Sequence, residues 1–122
     1  MTPSAIAAVF LALAVVLGAF GAHGLKNHLD AYRMGLWEKA VFYHFVHALG
    51  MLIVSLMPRV GALSKLGAEW VCYLLLAGIL LFSGSLYILA CSGVRALGAI
   101  TPFGGAAFIA AWLVLAWTLG RP

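Results

Sequence analysis

Four stretches of this chain, about Pro3 to Ala22, Lys39 to Met57, Trp70 to Cys91 and Pro102 to Leu119, carry no charged side chain apart from Lys39 at one edge. Each approaches or exceeds the roughly 20 apolar residues that cross a hydrocarbon core. In lipid the backbone has no water to bond, so such stretches must pair their own N–H and C=O groups as helices. A barrel would show short alternating strands separated by turns, and that alternation is absent. The expected fold is all-α: an integral membrane bundle of four transmembrane helices, with residues 1–122 forming one domain.

Composition supports the bilayer as solvent. The 122 residues are 66% hydrophobic and 8% charged, against about 25% charged in a soluble domain. The net charge of +4 comes from basic residues set singly at the edges of the apolar runs. That placement suits headgroup anchoring, and it offers no patch for a nucleic-acid backbone. The first stretch lacks the basic segment of a signal peptide, so a retained span is expected. Charge barely decides orientation. Arg59, Lys65 and Arg121 lie on the side of both termini, and Lys26, Arg33, Lys39 and Arg95 on the other.

Between the first two spans, Leu25, Leu29, Tyr32 and Leu36 recur at helical spacing, with Lys26, Asn27, Asp30 and Arg33 turned away. This pattern predicts a short amphipathic helix over 25–37 lying in the membrane interface. Thr101-Pro102 predicts the start of the fourth helix, with a capping hydroxyl and then proline at the first helical position.

The second span has two faces. Phe42, Phe45, Val46, Leu49, Leu52, Ile53 and Leu56 share one side and suit lipid. Ala40, Tyr43, His44, His47, Ala48, Gly50, Met51 and Ser55 share the other and suit helix contacts, where small residues admit a neighbouring backbone and polar ones find partners. Matching small-residue seams are expected elsewhere. Ala7, Ala14, Gly18 and Gly21 form one on the first helix. On the third, Tyr73, Ala77, Gly84, Tyr87 and Cys91 share a face with Ser83 on its flank, and on the fourth Gly104, Ala107, Ala111 and Thr118 line up.

All four histidines fall between positions 23 and 47. His44 and His47 lie about 9 and 13 Å past Glu38 along the helix, at about 1.5 Å per residue, inside the hydrocarbon, where an ionisable side chain is a functional candidate. Their i, i+3 spacing suits metal ligation by imidazole, with His23 the nearest further ligand; His28 would have to fold inward. The structural alternative is that neutral imidazoles donate from one nitrogen, accept at the other, and lock the second helix to Tyr43, Tyr73, Tyr87, Ser83 or Ser85. Cys72 and Cys91 would sit roughly 28 Å apart on one helix, beyond the roughly 7 Å reach of a disulfide.

The carboxylates Asp30, Glu38 and Glu69 fall in the connector or at helix starts, and none at the middle of a span, which argues against proton-coupled export. "LFSGSLY" at 81–87 has serines but no GxSxG and no acid or base close in sequence. The sequence assigns no catalytic residue, metal centre or cofactor.

"LGAFGAHGLK" (17–26), "YHFVHAL" (43–49), "LFSGSLYILA" (81–90) and "TPFGGAAFIAAW" (101–112) together resemble the YgdD/YwdK-like family of small membrane proteins, in order and spacing over nearly the whole chain. The resemblance implies a four-span helical inner-membrane protein, related to a small transmembrane protein of eukaryotes, with both termini cytoplasmic. Its motifs map onto Gly18, Gly21, His23, Tyr43, His47, Ser83, Gly84, Ser85, Thr101, Pro102, Gly104 and Gly105, and His44 lies outside them. The expected function is that of a non-enzymatic membrane protein acting through helix packing, its partners being the lipid bilayer and either a second copy or another membrane protein. The alternative is a polar intramembrane site of His23, Tyr43, His44, His47, Ser83 and Tyr87 for a small ligand, quinone, metal or proton.

Overall fold

The computed structural model describes residues 1–121. Five α-helices, α1 (Pro3–His23), α2 (Ala31–Leu56), α3 (Lys65–Gly78), α4 (Gly84–Ser92) and α5 (Thr101–Leu119), build the bundle. A π turn at Ile79–Ser83 joins α3 to α4 without a break, so the five make four candidate membrane-spanning helices.

Three of the five helices, α1, α2 and α3, start where a polar side chain satisfies a free N–H group of the first turn. The Thr2 hydroxyl accepts from Ala5 N–H at 3.2 Å ahead of Pro3, the Asp30 carboxylate from Arg33 N–H at 2.8 Å, and the Ser64 hydroxyl from Gly67 N–H at 3.0 Å. Two turns end on glycines in the left-handed region: Gly61 after the 3-10 turn Met57–Val60, and Gly93 after α4, both at φ 72°. The start of α5 differs from expectation. Thr101 does not cap it; its hydroxyl meets Ser85 Oγ at 2.6 Å across the α4–α5 contact. Pairing a buried hydroxyl between helices is the stronger demand in lipid.

The interfacial helix expected over 25–37 is not seen as an element. Residues 24–30 form turns with Leu25 tucked in, and α2 begins only at Ala31. From there it runs unbroken through Glu38 and Lys39 into the bundle. Once Asp30 nucleates the helix, each further residue adds a hydrogen bond at little cost, and no proline interrupts it. Tyr32, expected on the apolar face, is 73% exposed.

Helix α2 is the centre of the fold. It packs along α1 on one side and against α3, the π turn and α4 on the other, while α5 lies on α3 and the π turn. Two apolar clusters fill the contacts. The larger joins Met51, Val54, Val71, Leu75, Ile79 and Phe108; the smaller gathers Leu25, Trp37 and Ala90 at the opposite end. The outward side chains of α2, such as Phe42 and Ile53, are exposed to lipid.

Helix α3 turns a different face inward from the one expected. Val71, Cys72, Leu75, Gly78 and Ile79 are buried, whereas Tyr73 is half exposed. An added residue advances a helix by about 100° at 3.6 residues per turn, and a π turn changes the phase in this way. From its last residue onward, Ser83, Leu86 and Ala90 carry the buried line, with Tyr87 beside them.

Candidate functional site

The polar side chains within the spans are distributed among the helix contacts. His44 is 2% exposed and His47 7%, and they point to different neighbours. His44 Nδ1 lies 2.9 Å from the Tyr87 hydroxyl of α4, and its ring meets Phe10 of α1 edge-on at 5.7 Å. His47 donates from Nδ1–H to the Tyr43 carbonyl at 2.7 Å, one turn back on its own helix. That bond leaves Nε2 as the acceptor nitrogen. The His47 ring stacks on Phe108 of α5, centroids 3.6 Å apart, with Tyr43 stacked at 5.8 Å on its flank.

Further bonds repeat the pattern. Ser83 Oγ, fully buried in the π turn, donates to the Ala40 carbonyl of α2 at 2.8 Å. Trp37 Nε1–H donates to the Leu17 carbonyl of α1 at 3.0 Å, and Cys72 Sγ–H to the Met51 carbonyl of α2 at 3.6 Å. Ser85 and Thr101 join α4 to α5. Side-chain bonds thus tie α2 to α1, α3, the π turn and α4. Among the described residues one buried side-chain atom stands apart: Nε2 of His44 has no hydrogen-bond partner.

The residues expected to form one polar site are separated. Tyr43 and His47 face α5, His44 and Tyr87 face each other, and Ser83 faces Ala40. His23 is exposed at the end of α1, and His28 is exposed in the turn that follows. Among the described residues, no group of three or more His, Cys, Asp or Glu is gathered where it could hold a metal ion. Cys72 is buried, Cys91 exposed, and both are free.

The glycines divide sharply. A Cβ at Gly21 would strike the Trp37 indole, one at Gly104 the Phe82 backbone, and one at Gly18 would touch Val41 at 3.4 Å. Ala111 is fully buried, and Ala107 is half-buried. Gly84, expected at a seam, is no close approach: its nearest contact would be Ile79 O at 4.0 Å. Gly78 takes that part, with Phe108 lying directly over it, and Gly50 receives the edge of Trp112. Trp37 was not singled out in the sequence, although an indole near a span end needs a partner for its N–H, and that need is a readable signal.

The profile of a family described as "Protein of unknown function (DUF423)" matches residues 17–105. A UPF0382 membrane protein of Staphylococcus epidermidis (strain ATCC 12228) is 50% identical over 103 residues, 84% of this chain and 82% of its own. The UPF0382 membrane protein YwdK of Bacillus subtilis (strain 168) is 45% identical over 114 residues, 90% of this chain and 89% of its own. No solved structure matches the chain. The family resemblance read from the four motifs is thereby shown, and the chain belongs to the DUF423 family of membrane proteins.

Proposed function

We propose that this protein is a non-enzymatic helix-packing protein of the bacterial inner membrane that works by presenting its outer helix faces to a second copy or to another membrane protein. The supporting observation is that most of its buried polar side chains bond between its own helices, from Trp37–Leu17 to Ser85–Thr101. Chemistry performed on a substrate would call for a convergent set, and these side chains diverge. What remains for recognition is the exterior. Helix α1, at one side of the bundle, exposes Ala5, Ala8, Ala12 and Ala19 at helical spacing, the small-residue surface on which another helix packs closely in lipid.

The experiment is association of labelled copies in vesicles, measured by energy transfer, for the wild type and for Ala8→Ile and Ala12→Ile. Both positions are exposed, so the fold tolerates isoleucine while the outer face becomes rough. Loss of energy transfer in both variants supports self-association through α1. Undiminished transfer removes α1 as the interface. An absence of transfer in the wild type leaves the other membrane protein as partner, to be sought by crosslinking from Ala12.

The relatives' bacterial origin supports an inner-membrane location, and the family resemblance supports cytoplasmic termini. A second reading, an intramembrane ligand site, keeps one support: the unpartnered Nε2 of His44. It predicts a folded His44→Phe protein that loses a co-purifying small molecule present in the wild type; identical mass spectra of the two would end it.

A further inference from the structure

At the membrane surface opposite the chain termini, the start of α2, the end of α4 and the 3-10 segment Arg95–Ala99 enclose an open cavity of about 580 Å³. Two arginines from separate elements line it, Arg33 from α2 and Arg95 from the 3-10 segment. Arg33 reaches across to the end of α4. Its guanidinium lies directly over Gly93, where any Cβ would overlap it and where the backbone has φ 72°. Gly93 thus both ends α4 and makes room for the charge. The one carboxylate at the rim, Asp30, accepts the Arg33 backbone N–H at 2.8 Å as the cap of α2. Below the arginines, Leu36 and Leu89 give the cavity an apolar floor, and the exposed Tyr32 ring stands at its edge.

We propose that this cavity binds the phosphate of an anionic phospholipid, with Arg33 and Arg95 on the phosphate oxygens and the glycerol and first acyl carbons over Leu36 and Leu89. Guanidinium groups match phosphate oxygens with paired N–H donors. Basic pockets between membrane helices at headgroup level are suited to lipid phosphates, and a tyrosine at the rim sits where amphipathic rings collect. The apolar floor is the reason to assign a lipid: a free phosphate has no use for it.

The test uses the full chain in phosphatidylcholine vesicles containing about one part in five phosphatidylglycerol, followed by gentle extraction and mass spectrometry of the retained lipid. Wild type is expected to retain phosphatidylglycerol over phosphatidylcholine. An arginine near the surface contributes about 1 kcal/mol of attraction, so Arg95→Gln should lower that preference about fivefold, and Arg33→Gln by a similar factor. Arg95 is exposed, so its variant folds and carries the decision should Arg33→Gln not fold. Arg95→Lys should recover part of the preference through charge alone. Wild-type retention in Arg95→Gln overturns the proposal. So does an equal loss in Lys65→Gln, at the opposite membrane surface, because that would mean surface charge without a site. Displacement of the lipid by inorganic phosphate at matching concentration overturns the lipid assignment in favour of a soluble phosphate.

Discussion

Gly104 and Gly105 are neighbours on α5, and the structure predicts opposite responses to the same added methyl group. Gly104 faces the π turn. A Cβ there would stand 2.7 Å from Cα and Cβ of Phe82 and closer still to its backbone nitrogen, so reaching an ordinary 3.4 Å contact requires a retreat of at least about 0.7 Å. The obstacle is main chain in a hydrogen-bonded turn, with no flexible side-chain end to yield. Helix α5 must therefore move as a body, loosening the Phe108 ring from Gly78 and from His47 one turn further along. Overpacking of this kind costs about 1–3 kcal/mol, and the rigid obstacle places Gly104→Ala near the upper end, offset by up to about 1 kcal/mol of helix propensity. A net loss of about 2 kcal/mol is expected. At Gly105 the nearest atom would be Phe82 Cδ2 at 3.8 Å, an unstrained contact. Gly105→Ala should be neutral or gain up to about 1 kcal/mol. Reversible unfolding in mixed micelles, titrated with dodecyl sulfate and followed by tryptophan fluorescence, measures both. Gly104→Ala unfolding at the wild-type midpoint, or the two variants losing equally, would refute the close approach of α5 to the π turn.

Other outcomes follow from the same contacts. His44→Phe and Tyr87→Phe should each cost about 1–2 kcal/mol, since each leaves a buried polar atom without its partner. The double variant should cost less than their sum, with a coupling of about 0.6–1.7 kcal/mol; a coupling of zero in the double-mutant cycle would break the link between α2 and α4. Trp37→Phe removes the donor to Leu17 O and thins the small cluster under Gly21, so a loss of about 1–3 kcal/mol is expected, and an unfolding midpoint equal to wild type would contradict it. Cys91 is exposed in the last turn of α4 while Cys72 is fully buried. With cytoplasmic termini, a membrane-impermeant maleimide should label Cys91 in intact spheroplasts and leave Cys72 unreacted until denaturation; labelling of Cys91 only in inverted vesicles would reverse the proposed orientation.

How far the sequence could be read depends on the range of the physics involved. Choice of solvent is a sum over some twenty residues of a span, so the bilayer, the helical class and the four long apolar helices are legible from composition and charge spacing alone. The caps at Thr2, Asp30 and Ser64 are local as well, each satisfying a donor three residues away, yet hydropathy alone does not point to them, and α2 and α3 start earlier than the expected Lys39 and Trp70. The two faces of α2 are legible as well: Phe42 and Ile53 face out, and His44, His47 and Ala48 face in. In contrast, the partners of the inward groups depended on phase and distance between helices. No periodicity of 3.6 foretells the π turn at Ile79–Ser83, and that turn sets which of Ser83, Gly84 and Tyr87 meets α2. A histidine pair at i, i+3 reads as one site, yet a helix wedged between several neighbours spends them separately, His44 towards Tyr87 and Phe10, His47 towards Phe108. Thr101 changed from cap to crosslink for the same reason. What the sequence by itself determined was the solvent and the four long apolar helices, because hydropathy is summed within one helix. What only the tertiary structure decided was the pairing of polar groups and the meeting of Arg33, Gly93 and Arg95 in one cavity. Those pairings hold together residues far apart in the chain, and the rotation of each helix about its own axis selects among them.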